Sequence, residues 1–405
     1  MKKYFKTGIL TVLALLAAGC TEGDRFEPGR EIVLFTGTDD SPVIKVDGDS
    51  YGLTVSATGK ATEDITVYFR YDESVLEQYN AANKTTYRAV PESAVSIESD
   101  HMVIPAGSAA SAVNTVSIIS HDHVEEGYIY VIPFVLDRVE GGDYEILSST
   151  SSILIRPTNE FKFAALDIDN SNMSSNYIFP DDKAIELSTY TYEIKFYAYS
   201  LKETGTDAIC RLCAWEGAAE ELANMLRFGE NGYEGNSLQL VSPAGNIVSN
   251  TLFEPGRWYM LSLVYDGSTM TMYVDGEPEE RKGTGDGSTI FQRFEMGMSW
   301  QGYPALQLFS GRIAEMRLWN RALSVTEMKE GVCNVPADSE GLLAYWKFNE
   351  GEGHIFHDAT GNGYDMDWSD TYRDAGSGSL EPFDKGAIAE GQWTSADDPI
   401  NVCRN

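Results

Sequence analysis

Between Gly256 and Val274 the chain carries two short runs, Gly256-Arg-Trp-Tyr-Met-Leu-Ser-Leu-Val-Tyr265 and Thr269-Met-Thr-Met-Tyr-Val274, separated only by Asp266-Gly-Ser268. Aromatic and β-branched residues suit a half-buried pleated surface, and glycine supplies the positive φ of a tight connection, so the stretch reads as a β-hairpin. A period of two sends Met270, Met272 and Val274 to one face and Thr269, Thr271 and Tyr273 to the other. Asp275-Gly276 marks a second turn.

Downstream, Phe309-Ser-Gly-Arg-Ile-Ala-Glu-Met-Arg-Leu-Trp-Asn-Arg-Ala-Leu-Ser324 gives another strand. Ser324-Val-Thr-Glu327 follows as a capping box opening a short helix. Past the helix come Gly341-Leu-Leu-Ala-Tyr-Trp-Lys-Phe-Asn-Glu-Gly-Glu-Gly353 and Asp358-Ala-Thr-Gly-Asn-Gly-Tyr-Asp365; before the hairpin lie strands at Phe163–Asn170, Tyr190–Ala198 and Ile209–Trp215. Together these segments resemble the laminin-G-like branch of the concanavalin A-like lectin and glucanase sandwiches. Asn170 stands where the family's opening strand usually has Gly, and Asn tolerates the left-handed backbone. The resemblance implies a complete jelly-roll sandwich over residues 158–405; such scaffolds vary their sites, so it implies a fold more strongly than a ligand.

Residues 28–157 form an earlier unit. Strands at Glu31–Phe35, Gly52–Ser56, Ile65–Phe69, Val113–Ile118 and Tyr128–Leu136, with turn residues between them, indicate an immunoglobulin-like sandwich. One helix interrupts it, Ser74–Asn80, with cap signals at Asp72 and Ser74 and a close near Asn83. The order Asp72, Leu76, Tyr79-Asn80, Tyr87, Pro91, then Ile104-Pro-Ala-Gly107 and Tyr130-Val-Ile-Pro133, resembles an N-terminal domain of unknown function in Bacteroidetes surface lipoproteins. That resemblance implies a spacer or docking module ahead of a sugar-directed domain. Pro157 in Arg156-Pro-Thr-Asn159 sets the boundary. The fold class is all-β.

Lys2, Lys3 and Lys6 precede an apolar run from Ile9 to Ala18, too short for a permanent span and shaped as a secretory signal. It ends in Leu16-Ala-Ala-Gly-Cys20, which resembles a bacterial lipobox, with Ala17 where Leu is commonest. The resemblance implies removal of residues 1–19 and lipidation of Cys20, with 20–27 as the tether, so that only lipid chains hold the protein to the membrane. Glu22 and Asp24 resemble the export signal that places such lipoproteins on the outer face of the outer membrane. The net charge of -32 falls to -35 without the leader's three lysines. Such a surface repels phosphate backbones, which argues against nucleic acid as a partner.

Cys210 and Cys213 fall in one strand, where residues three apart face opposite ways; two buried free thiols are expected. Cys333 and Cys403 either bridge, tying the tail to the end of the short helix, or stay free. His121 and His123 flank Asp122 in a polar turn, a solvated loop by its surroundings. The tail from Gly376 to Asn405 is polar and poorly patterned.

Retaining glycoside hydrolases need two carboxylates about 5–5.5 Å apart. No Glu-x-Asp-x-Glu strand occurs here, so no catalytic residue is assigned: Glu295 and Glu315 stand alone, and Glu277, Glu279 and Glu280 fall in a turn around Pro278. Binding asks less, an aromatic platform with a polar rim. Trp300 and Tyr303 in Met298–Ala305, and Trp368, Tyr372 and Arg373 in Trp368–Asp374, are the candidate carbohydrate contacts; aromatic caps on the sandwich edge are the alternative. Trp258, Trp319 and Trp346 lie within strands and read as core. The family resemblance further implies calcium, with Asp167, Asp358 and Asn362 as ligands, although turn-forming side chains explain the same residues. The resulting expectation is a lipid-anchored surface protein that binds a polysaccharide or oligosaccharide, with a surface-protein partner as the competing class and a hydrolase with dispersed carboxylates as the third.

Overall fold

A computed structural model describes residues 30–38, 40–158, 160–168, 174–201, 209–216, 224–229, 232–242, 246–283, 287–297, 309–367, 371–374, 380–382 and 393–404. It forms two β-sandwiches in series. In the first, one sheet runs Val43–Asp47, Ser152–Thr158, Tyr130–Glu140, Ile65–Tyr71, His101–Ile104. Two smaller sheets, built around Glu31–Phe35 and Asn114–Ile118, contribute to the same core. Phe35, Phe69, Phe134, Ile153 and Ile155 fill that core. Leu154 lies on the opposite face of its strand and packs under helix α1 (Glu73–Asn83) with Leu76 and Val131. Burial on both faces explains why Ser152–Thr158 reads as a nearly continuous apolar run rather than an alternation. The helix starts where Asp72 accepts from the Ser74 N–H at 2.9 Å and ends at Lys84 in the left-handed region.

The second sandwich stacks two eight-stranded sheets. The first sheet runs Glu277–Gly283, Thr269–Val274, Trp258–Tyr265, Tyr190–Ala198, Gly311–Trp319, Ala165–Asp167, Trp393–Thr394, with Leu342–Trp346 also paired to Gly311–Trp319. The second runs Ile247–Leu252, Ser237–Val241, Asn224–Phe228, Cys210–Glu216, Arg293–Met296, Ser174–Ile178, Thr371–Asp374, Leu380–Pro382. The expected hairpin is present in register, Leu263 opposite Met272 and Tyr265 opposite Met270. Met270, Met272 and Val274 enter the inter-sheet core while Thr269, Thr271 and Tyr273 are half-buried on the other side. At the second turn Asp275 itself takes φ 51°, and its carboxylate accepts the Met260 N–H at 2.8 Å. Ser324 caps α2 (Val325–Glu330) with the reciprocal Glu327 contact of a capping box.

Behind the first sheet, on the face away from the core, lies a buried ionic cluster. Arg317 reaches Glu193 at 3.2 Å and Glu315; Lys195 lies 3.7 Å from Glu315. Ser262 and Trp319 donate to Glu193 at 2.7 and 3.0 Å, and Tyr345 donates to Glu315 at 2.8 Å. Arg317 and Lys195 also donate to the carbonyls of Gly331 and Cys333. Burial pushes the Lys195 pKa down to about 8 against the pull of Glu315. For Arg317 burial acts the same way, but Glu315, Tyr345 and Glu193 outweigh it and hold the guanidinium charged. Alternate residues of these strands therefore meet either the apolar core or this cluster, and both faces are buried.

Several expectations are corrected. Glu277–Gly283 is an edge strand, not a turn. Glu279 accepts the N–H groups of Asn250 and Thr251 at 2.6 and 2.9 Å, and Glu280 accepts that of Val248 at 3.0 Å, so these carboxylates cover the edge of the facing sheet. Trp258 is half-buried, its indole N–H donating to the Ile400 carbonyl at 2.8 Å; a strand's first residue lies at the sandwich margin. A register shift between Arg211 and Cys213 puts Cys210 and Cys213 in the same core rather than on opposite faces, although neither is disulfide-bonded. The tail carries Trp393–Thr394 and Val402–Arg404, the latter pairing with Glu160–Lys162.

Cys333 and Cys403 are bridged, closing a loop of 70 residues. Replacing both with serine costs roughly 4 kcal/mol by the loop-entropy relation, read as a lower urea midpoint; an unchanged midpoint overturns the assignment. Arg317→Met strands Glu193 and Glu315 in a buried site and costs roughly 3–5 kcal/mol; denaturation with no shift would mean that water already reaches the cluster.

Candidate functional site

The second sheet's outer face is built by the same alternation. Cys213, Trp215, Phe294 and Met296 point into the core, which turns Glu216, Arg293 and Glu295 outward. Glu216 lies directly across the strand pair from Arg293, and Glu295 is two residues further along Arg293's own strand. Arg293 reaches Glu216 at 3.0 Å and also pairs with Glu295. Arg211 lies at the other end of Glu216's own strand and, with Arg227 and Gln239 opposite it on the next two strands, makes a separate polar row. Every one of these side chains except Arg293 is below one-tenth exposed, and Arg293 is 15% exposed. Charges withdrawn from water in this way are costly unless paired, so a row of them on a face away from the core marks a site.

One guanidinium bridges both carboxylates. A hydrolase needs one of the two protonated as general acid. Glu295 does gain a partner, Glu216, that the sequence reading lacked, since the two are far apart in the chain and meet only through strand pairing.

The aromatic candidates relate to this sheet through its register. Trp300, Tyr303 and Trp368 lie outside the described residues, as does Cys20. Trp300 and Tyr303 follow the Arg293–Met296 strand, whose last residue is opposite Ser175. Ser175 is in turn opposite Thr371, and Ser174 opposite Tyr372, in the strand that follows Trp368 and contains Arg373. Met296, Ser175 and Thr371 thus occupy one cross-strand row, and at about 4.8 Å per strand the roots of the two aromatic segments are about 10 Å apart. The outward pair Arg293–Glu295 belongs to the same strand.

The calcium candidates do not assemble. Asp167 accepts from Tyr199 at 2.7 Å, and Arg312 donates to that tyrosine at 2.7 Å and to Asn401 at 2.9 Å. Burial first, then the Asp167 contact, holds the Tyr199 hydroxyl above its ordinary pKa. Asp358 sits in a separate network. Its oxygens accept the N–H groups of Tyr345, Thr360 and Tyr364 and the Thr360 hydroxyl at 2.8–3.2 Å. Asn362 donates to the Leu343 carbonyl at 3.0 Å. Asp358 and Asn362 therefore hold their own loop, while Asp167 belongs elsewhere, so the three residues do not fit one cation. Among the described residues no group of three or more His, Cys, Asp or Glu is placed to hold a metal.

Residues 170–329 match the family model of the concanavalin A-like lectin/glucanases superfamily, and residues 31–143 match a model described as an N-terminal domain. The second unit is concanavalin A-like in fold. Among solved structures, a candidate carbohydrate-binding protein of Bacteroides ovatus aligns at 21% identity and TM-score 0.50, covering 87% of this chain and 98% of that one. A two-domain protein of unknown function from Bacteroides fragilis aligns at 12% identity and TM-score 0.28, covering 67% and 95%. A heptameric pentraxin of Limulus polyphemus aligns at 13% identity and TM-score 0.33, covering 43% and 84%. A search of curated proteins finds no match. At these identities the likeness is one of fold.

Asp358→Ala removes an acceptor for several buried donors and costs about 1–3 kcal/mol. The fall in melting temperature is expected to be equal in calcium and in chelator; a fall seen only in calcium would reassign Asp358 to a metal.

Proposed function

We propose that the protein is a lipid-anchored surface protein, held through Cys20 and facing outward from the outer membrane, that captures polysaccharide or oligosaccharide with its concanavalin A-like domain. The observation that carries this reading is the convergence on one sheet. The strand bearing Arg293 and Glu295 leads into the Trp300 and Tyr303 segment, and two strands away lies the segment with Trp368, Tyr372 and Arg373. Aromatic rings cover the C–H faces of a sugar, and charge-assisted hydrogen bonds from carboxylates and guanidinium bind its hydroxyls. The proposed site draws on both kinds of contact for one ligand. Binding is favoured over hydrolysis because Arg293 engages both carboxylates of the pair, Glu216 and Glu295.

The test is a glycan array and affinity gel with the wild-type protein, Trp300→Ala and Trp368→Ala, run with and without calcium. Retention on a polysaccharide, weakened at least tenfold by one substitution and with no new reducing ends over time, is expected. Accumulating product would move the reading to a hydrolase. No retention on any glycan in either condition would leave protein adhesion as the function of these segments.

A further inference from the structure

The two sandwiches meet across a cleft of about 700 Å³. One wall is the loop after α1, Lys84 to Tyr87, with Gly127 and Ile129; the other is Trp319 to Glu327 and Asn334 to Pro336. Its position is fixed by close contacts. Arg156, 1% exposed, pairs with Glu330 of the second unit; Tyr128 donates to Asp338 at 2.6 Å; Glu126 meets Lys347 at 2.9 Å. Gly127 has φ +88°, and a Cβ there would fall 2.6 Å from the Val335 and Pro336 backbone, so the units touch main chain to side-chain-free main chain. A cleft held open beside such contacts is a built feature, of the size and location at which small-molecule sites occur.

From the lining, we infer that this cleft is a second saccharide-binding site, for a short neutral oligosaccharide; the inference rests on the proposed sugar-binding function. Charge decides against ionic ligands. Arg321 is spent on Glu327 at 2.7 Å, Glu330 on Arg156 and Glu193 on Arg317, which leaves Lys84 and Glu340 opposed and the lining close to neutral. Ile129, Leu323, Val335 and Pro336 supply an apolar floor, and Thr86, Thr326 and Asn334 place hydroxyl and amide groups around it. That pairing of an apolar surface with neutral donors and acceptors matches a pyranose ring, which has a C–H face and a hydroxyl rim. A peptide is less suited, because the described walls are loops, the start of α2 and Trp319 on an inner strand, so no ladder is open for it to extend.

The experiment is hydrogen–deuterium exchange of the whole protein with laminari-, xylo-, manno- and maltohexaose, beside Thr86→Trp and Thr326→Trp, two exposed positions whose enlargement fills the cleft without touching either core. Slowed exchange in peptides spanning 84–87 and 322–336, with affinity for that sugar lowered tenfold or more by both variants at unchanged melting temperature, is expected. Protection confined to peptides spanning 293–309 and 366–374 overturns the cleft as a site and leaves the proposed function standing. No protection by any sugar, with no retention on the glycan array, overturns both. Sugar bound on the array without protection at 84–87 or 322–336 overturns the cleft alone.

Discussion

Arg317 is the group on which the second sandwich depends. It is fully buried, yet it lies on the face of the first sheet opposite the apolar core, where a two-layer sandwich ordinarily meets water. Glu193 from the neighbouring strand and Glu315 from its own strand bracket it, and Lys195, Tyr345, Trp319 and Ser262 complete the bonding. Such a cluster is stable only if something covers it. The cover is the segment from α2 to the Leu342–Trp346 strand, fastened from below by Arg317 to Gly331, by Lys195 to Cys333, and by the disulfide from Cys333 to the tail. Docking of the first sandwich onto that cover follows, through Glu330, Asp338 and Lys347. The N-terminal unit therefore acts less as a spacer than as a further layer over the same charges.

What was legible in the sequence is what is local. The hairpin, the Asp72 and Ser324 caps and the alternation of Met270, Met272 and Val274 follow from periodicity and turn chemistry within a few residues. The disulfide was open from spacing alone and is decided by the strand that sets Cys403 beside Phe161. The misreadings have nonlocal causes. Pro278 made Glu277–Glu280 look like a turn, but proline is admissible on an edge strand, and the glutamates there bond a different sheet. The extra residue between Arg211 and Cys213 reverses the facing of a cysteine, and no residue type announces a bulge.

The candidate site follows the same division. Glu295 stood alone in the sequence reading; its alternation, with Arg293, against Phe294 and Met296 is seen in the strand itself. Their partner Glu216 closes a strand that is apolar from Leu212 to Trp215, and no residue beside it in sequence points to Arg293 or Glu295. Only the pairing of the two strands makes Glu216, Arg293 and Glu295 a unit. The aromatic segments were chosen for composition; their common root at the Met296, Ser175 and Thr371 row is a fact of register.

The two sheets thus share one device. Each carries buried charges on its outer face, and in each an arginine lies between two glutamates. Around Arg317 the remaining capacity of the carboxylates is taken up by Ser262, Trp319, Tyr345 and Lys195, so that cluster has little left to offer a ligand and holds the fold together. Around Arg293 the ion pairs join Glu216 and Glu295, and a separate row of Arg211, Arg227 and Gln239 lies further along the same sheet. A bridging arginine draws both carboxylates into one charge-assisted unit on this sheet. In both sheets the arginine joins a glutamate two residues away on its own strand to one from the neighbouring strand.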